Sequence, residues 1–167
     1  LVIGSSITLG WGVPFDSVFT SLLERKLNED NTDIRNNVIN SANGNYNTYM
    51  EYLYFRKILP IVKPNMVILH YFINDAEIIS PKSANFFIKN SYLIAYLYVR
   101  VKQVFHAKQN NYSSIGEYYK ELYQESSPGF TIAKDAIKDM KQLCDDRKIE
   151  FLVLVQPDLH DISESSD

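Results

Sequence analysis

The sequence predicts an α/β fold with a parallel sheet and helices on both of its faces. Short apolar runs at 1–3, 38–39, 66–69 and 151–155 alternate with stretches of helical periodicity. The last two runs are rich in Val, Ile and Leu and show little alternation, which is typical of strands that are buried on both faces. Regular alternation of strand and helix indicates βαβ units and therefore a three-layer α/β/α sandwich.

Composition excludes several classes of protein. The chain has 167 residues, of which 46% are hydrophobic, and this size suits one domain with a buried core. A net charge of -3 argues against nucleic acid as the main partner, because few phosphates would be neutralised. The single cysteine, Cys144, excludes an internal disulfide framework and a cysteine-rich zinc site. No run reaches the roughly 18 apolar residues of a transmembrane helix.

Three stretches have the apolar spacing of amphipathic helices. The first follows Asp16 or Ser17, either of which is a suitable N-cap. The second covers about 48–58 and is expected to end before Pro60, because proline lacks the N–H that a helix interior requires. The third covers 132–144 and places Lys and Asp opposite its apolar face.

A helical insertion at about 76–130 interrupts this alternation. Within it, the segment 86–105 is rich in aromatic and aliphatic residues. A helix that is apolar nearly all round must be covered by other structure. Two interpretations stay open: an extra core or dimer helix, and a lid or wall that contacts an apolar acyl group.

The two ends of the sequence suggest a fragment. The chain begins at Leu1, inside a predicted strand, and ends in a polar run at 162–167. We expect residues to be missing before Leu1 and at least one strand–helix unit to be missing after Asp167. The absence of a visible signal peptide therefore assigns no compartment, and the localisation stays open.

Polar turns follow each of the first three predicted strands. They cover 4–12, 40–48 and 70–75. The carboxyl ends of parallel strands meet at one edge of the sheet, where open α/β sheets bind ligands. Gly, Ser, Asn and Asp are ordinary turn residues. Three such turns at one edge nevertheless indicate a binding or catalytic site.

The residue types in these turns suit acyl transfer. A serine at a strand end, backbone N–H groups and the amide of Asn74 together form an oxyanion hole. Competing motifs fail. A P-loop needs a lysine where Trp11 follows Gly10, and the dinucleotide fingerprint lacks its third glycine. The nucleophile elbow has Thr8 at its last glycine position.

The three turns also resemble the ordered sequence blocks of the SGNH (GDSL-like) hydrolase family. GSSITLGWG at 4–12 resembles Gly-Asp-Ser-Ile-Thr-x-Gly-x-Gly. NSANGNYNT at 40–48 resembles Asn-x-Gly-x-x-Gly-Tyr-Asn-Thr, and FIND at 72–75 resembles Gly-x-Asn-Asp. The resemblance spans about 1–75. It implies a flavodoxin-like sandwich that forms a single domain over 1–167 and is incomplete at both ends.

The resemblance implies a role for each candidate residue. Ser6 is the nucleophile of an ester hydrolase that passes through an acyl-serine intermediate. The oxyanion hole comprises the backbone N–H of Ser6, a backbone N–H at Gly44 or Asn45, and the side chain of Asn74. Neither a metal nor a cofactor is implied. The expected partner is a small-molecule, glycan or lipid ester, and the oligomeric state stays open.

Three departures from the family pattern affect the site. Ser5 replaces the aspartate of the first block, which alters a polar orienting contact. Asn45 stands where the second glycine of the second block falls, so this turn must accept a larger residue. Phe72 replaces the glycine of the third block and is expected to crowd or line the acyl pocket.

The general base is the least defined part of the expected machinery. His70 ends a buried strand, which favours a structural role, and His106 has no motif around it. His160 follows the fourth predicted strand at the correct edge, but Pro157 stands where the family's Asp-x-x-His has its aspartate. Either His160 is the base, or the true Asp-x-x-His block follows Asp167.

The sequence leaves three functions open. The first is a serine esterase or lipase-like acyl hydrolase that removes acyl groups from a carbohydrate or lipid. The second is a catalytically inactive domain that retains the cleft for binding. The third is a structural α/β domain whose polar turns have no chemical role.

Overall fold

The structure is a computed structural model that describes residues 1–30, 34–79 and 115–157. It has a mixed α/β fold with a three-stranded parallel sheet in the order β1–β2–β3. The strands are β1 (Val2–Gly4), β2 (Met66–Tyr71) and β3 (Glu150–Val155). Three sequence predictions concern His106, His160 and the aromatic segment 86–105, which lie outside the described residues.

The second predicted strand, at 38–39, lies beside β1 but forms only one bridge, at Asn40. Three backbone hydrogen bonds hold this segment along β1. The N–H of Val2 donates to Ile39 (2.9 Å), that of Ser41 to Val2 (2.8 Å) and that of Asn43 to Gly4 (3.0 Å). The turn that follows is thereby held next to the turn that follows β1.

Helices and short 3₁₀ turns connect these strands. In chain order the elements are α1 (Ser6–Leu9), a 3₁₀ turn (Phe15–Ser17), α2 (Phe19–Asp30), α3 (Thr48–Val62), a second 3₁₀ turn (Ile73–Ala76), α4 (Ile115–Leu122) and α5 (Pro128–Asp145). The second 3₁₀ turn directly follows β2 and carries Asn74 and Asp75.

The main hydrophobic core lies between one face of the sheet and the helices α3 and α5. Its buried members, contributed by all of these elements, are Ile3, Phe55, Leu59, Val67, Leu69, Met140 and Cys144. On the other face, the ring of Phe19 packs edge-on against His70, with centroids 5.1 Å apart. Burial on both faces was predicted for β3 and is wrong there, because Leu152 is 52% exposed and Leu154 is 43% exposed.

Three helix boundaries differ from the predictions. Asp16 and Ser17 belong to a 3₁₀ turn, and α2 begins only at Phe19. Helix α3 continues through Pro60 to Val62, because Leu59 is anchored in the core and its carbonyl accepts the N–H of Lys63. Helix α5 begins at Pro128 rather than at 132, and its first position is one that proline favours.

The chain divides into two compact units. One comprises Leu1–Ile78 with Leu122–Asp167, and the other comprises Ile79–Glu121. The second unit comprises fewer residues than the predicted insertion, which covers about 76–130. Among the described residues, no helix combines the length and the apolar character that crossing a bilayer requires.

Candidate functional site

Ser6 lies at the start of α1, directly after β1. Ser5 has an extended backbone at the N-cap position and is buried, whereas Ser6 is half-buried. As the first residue of the helix, Ser6 has a backbone N–H that no carbonyl of the helix accepts. Gly4 permits this tight connection, because a Cβ at that position would lie 2.0 Å from Oγ1 of Thr8. The nucleophile candidate therefore presents a hydroxyl and a free N–H at the same strand end.

A buried hydrogen bond fixes α1 on the sheet. Oγ1 of Thr8 lies 2.9 Å from Nδ1 of His70, at the end of β2. Burial lowers the pKa of His70, while a hydrogen bond with the side chain of Gln156 acts in the opposite direction. His70 is therefore neutral at pH 7 and anchors α1, in agreement with the structural role expected for it.

The second turn packs against α1. The side-chain amide of Asn40 donates to the carbonyl of Thr8 (2.8 Å). A Cβ at Gly44 would lie 3.9 Å from the side chain of Leu9, which places this turn beside the helix that Ser6 begins. Asn45 has a φ of 61°, in the left-handed region that glycine favours and that asparagine tolerates better than most residues. Asn45, which stands where the family pattern has glycine, therefore preserves the shape of the turn.

The third turn places Asn74 at the surface and Asp75 in the interior. Asn74 is exposed, and Asp75 is buried. Phe72 begins the turn with a φ of -120°, an extended conformation that does not require glycine. Its N–H donates to Oδ2 of Asp75 (2.7 Å). The turn therefore accepts Phe72 without backbone strain, and the half-buried ring contributes to the walls around the turn.

Asp75 joins the second and third turns. Its backbone carbonyl accepts the hydroxyl of Thr48 (3.1 Å), at the end of the second block. Nearby, the side chain of Asn47 caps α3 and also donates to the carbonyl of Glu77 (2.8 Å). Together with the hydrogen bond between Thr8 and His70, these contacts bring the turns of Ser6 and Asn74 to the same end of β1 and β2.

A second buried carboxyl group lies beside Asp75. Glu51, in the first turns of α3, is only 1% exposed. Desolvation raises its pKa to about 9, and the negative charge of Asp75 adds to the increase. Desolvation likewise raises the pKa of Asp75 to about 6, although its hydrogen bonds with Phe72 and Ser5 oppose the increase. At pH 7, Glu51 is therefore protonated while most of Asp75 is ionised.

Glu51 was not among the residues selected from the sequence. It lies in the apolar stripe of α3, since Thr48, Phe55 and Leu59 are buried on the same face. A charged residue within the buried stripe of an amphipathic helix is the signal that would have identified it.

The structure brings most of the predicted site residues to one edge of the sheet. Ser6, Gly44 with Asn45, and Asn74 lie on three turns that the contacts of Gly4, Thr8 and Asp75 hold together. His160 lies outside the described residues. Within 1–30, 34–79 and 115–157, no three His, Cys, Asp or Glu side chains gather in a way that would hold a metal ion.

Comparisons with known proteins give no match. No protein-family model, no curated protein and no solved structure is significantly similar to the chain.

Proposed function

We propose that the chain is an SGNH-like serine hydrolase that cleaves ester bonds. The observation that supports this most strongly is the hydrogen bond between Thr8 and His70, because it joins the helix that Ser6 begins to the strand end that precedes the turn of Asn74. Thr48 joins the second block to Asp75 of that turn. Three turns of the expected composition thus meet at one edge of the sheet. On this proposal the sheet is the centre of a flavodoxin-like α/β/α sandwich.

The proposed mechanism begins with attack by the hydroxyl of Ser6 on the ester carbonyl. A general base removes the hydroxyl proton as the new C–O bond forms. The negative charge on the carbonyl oxygen is stabilised by the N–H of Ser6, by a backbone N–H at Gly44 or Asn45 and by the amide of Asn74. Expulsion of the alcohol gives an acyl-serine, and water then releases the acid. The base that we propose is a histidine, for which His160 is the candidate in this sequence.

Features of the turns make the departures compatible with this chemistry. Asn45 adopts the left-handed conformation that a glycine at this position would use, so its N–H remains suited to donation. Ser5 is buried at the N-cap position of α1, where it stands in place of the family's aspartate. The substrate class that we favour is a glycan or lipid O-ester, which needs neither a metal nor a cofactor.

A catalytically inactive binding domain is the alternative. Phe72 favours it, because a phenyl ring at the entrance of the third turn takes space that the family's glycine leaves open. Such a domain would retain the cleft and bind an ester without cleaving it.

Hydrolysis of p-nitrophenyl acetate by the protein in its full natural length tests the proposal. Ser6→Ala is expected to lower kcat at least about a thousandfold. Asn74→Ala is expected to lower kcat about a hundredfold with little effect on KM, because its amide acts on charge that develops only in the transition state. Ser17→Ala, in an exposed 3₁₀ turn, is the matched control and should retain full activity. Turnover that survives Ser6→Ala would exclude the assigned nucleophile.

A further inference from the structure

The buried carboxyl group of Glu51 faces the turn that carries Asn74. Thr48 and Glu51 lie three residues apart and therefore on the same face of α3. The hydroxyl of Thr48 donates to the carbonyl of Asp75, which fixes that face against the turn. Glu51 and Asp75 are each 1% exposed. Two acidic groups thus occupy one water-excluded space behind the proposed site.

This space holds several polar atoms without a partner. Among the described residues, neither carboxyl oxygen of Glu51 has a hydrogen-bond partner, and the same is true of Oδ1 of Asp75. No lysine or arginine of the described part of the chain forms an ion pair with either group. The other titratable groups that act on the pair are Tyr71 on β2 and Glu77 after the 3₁₀ turn. Neither brings a positive charge.

Two carboxylates cannot both remain charged in such surroundings, since burial of an unpaired charge costs several kcal/mol. Asp75 is the group of the pair that carries the single charge. Its carboxylate accepts the N–H of Phe72 at 2.7 Å, whereas Glu51 has no such donor among the described residues. The proton therefore resides on Glu51.

We propose that Glu51 is a positioning residue of the site. As a neutral acid it leaves Asp75 as the only charged group of the pair, and Asp75 then holds the turn that carries Asn74 through its hydrogen bonds with Phe72 and Thr48. This inference rests on the proposed function for its catalytic consequence. The protonation of the pair itself does not depend on activity. An ionised Glu51 would repel Asp75 and weaken its hydrogen bond with Phe72.

Infrared spectroscopy tests the protonation directly. The folded wild-type protein at pH 7 should show the C=O stretching band of a protonated carboxyl group. Glu51→Gln should remove this band, while the control Asp139→Asn, on the exposed face of α5, should leave it. The proposal is overturned if the band is absent from the wild type, or if Asp75→Asn removes it and Glu51→Gln does not.

The pH dependence of turnover tests the positioning role. Wild-type kcat should fall about tenfold per pH unit above pH 9, where Glu51 ionises. Glu51→Gln should retain wild-type kcat at pH 7 and should not show this fall, with circular dichroism confirming that both proteins remain folded. An alkaline fall that is identical in the two proteins overturns the role. If no Ser6-dependent turnover exists, the proposed function fails, and the infrared band still decides the state of the pair.

A bound cation is the competing explanation for the carboxyl oxygens of Glu51 and Asp75 that lack a hydrogen-bond partner among the described residues. Calcium or magnesium chloride should not change the melting temperature of the wild type relative to Glu51→Gln. A rise in Tm that is confined to the wild type would mean that the pair binds a cation, and it would overturn the proposal that Glu51 is protonated.

Discussion

Replacement of Glu51 by glutamine should raise the stability of the protein relative to the wild type, by a margin that grows as the pH rises. The amide has nearly the shape of the protonated acid and cannot ionise. In the wild type, burial raises the pKa of Glu51 from 4.5 to about 9. A carboxyl group whose pKa is higher in the folded state binds protons more tightly there, so its contribution to stability is greatest below pH 4.5 and declines until about pH 9. The variant lacks this decline.

The size of the effect follows from the shift. One pKa unit corresponds to about 1.4 kcal/mol, so at pH 7 the ionisable Glu51 lowers the free energy of unfolding by about 3 kcal/mol relative to a group that cannot ionise. The amide brings two N–H groups near Oδ1 of Asp75, which lacks a partner among the described residues. Because the amide cannot ionise, the change in the free energy of unfolding that it causes is nearly the same at every pH. The slope of the free energy of unfolding against pH therefore measures the ionisation of Glu51 better than the free energy of unfolding at a single pH does. Asp75, whose pKa is raised to about 6, contributes to the slope in both proteins.

Urea denaturation between pH 5 and pH 8 measures this slope. Far-ultraviolet circular dichroism is the suitable signal, because Trp11 is 80% exposed and its fluorescence should change little on unfolding. We expect the free energy of unfolding of Glu51→Gln to gain about 4 kcal/mol on the wild type across this range. Asp139→Asn, an exposed control, should follow the wild type. Parallel curves of the free energy of unfolding against pH for the wild type and Glu51→Gln would refute the claim that Glu51 is a buried, protonated acid.

Two further predictions concern the turns of the site. Gly4→Ala should lower the free energy of unfolding by about 1–3 kcal/mol in thermal denaturation, because the new Cβ would lie 2.0 Å from Oγ1 of Thr8 and displace it from His70; Gly44→Ala, whose Cβ would have an ordinary 3.9 Å contact, is the control and should change stability far less. Equal losses in both variants would contradict the packing described for Gly4. Asn45→Gly should preserve stability and turnover, whereas Asn45→Val should lower the free energy of unfolding by about 1–2 kcal/mol, because a β-branched residue disfavours a φ of 61°. A valine variant as stable as the glycine variant in urea would show that the turn does not need the left-handed conformation.

Much of the fold was predictable because its signals are local. Continuous apolar runs identified β2 and β3, and the turns after the strands followed from their composition. The parallel order then brought the Ser6 and Asn74 turns to the same edge. The one bridge at Asn40 was less predictable, since its hydrogen bonds depend on the neighbouring β1 rather than on its own sequence.

The remaining differences arise from packing between distant elements. Helix α3 continues past Pro60 because Leu59 is buried in the core, and this packing outweighs the loss of one hydrogen bond. The exposed face of β3 at Leu152 was unpredictable from an apolar run alone, because the run does not say which neighbours cover it.

The pair of Glu51 and Asp75 required the structure for a similar reason. The two residues are far apart in sequence, and only the packing of α3 against the turn after β2 brings them together. Asp75 belongs to the third block of the sequence, but its hydrogen bonds with Phe72 and Thr48 are properties of the folded chain.

The most direct test of the account is the site of covalent modification during turnover. The full-length protein is mixed with p-nitrophenyl acetate, quenched in acid within the first turnovers, digested and analysed by mass spectrometry. The account predicts an acetyl group on the peptide that contains Ser6, at the hydroxyl of that residue, and none in Ser6→Ala. An acetyl group that forms on another residue during turnover, with Ser6 unmodified, would contradict it.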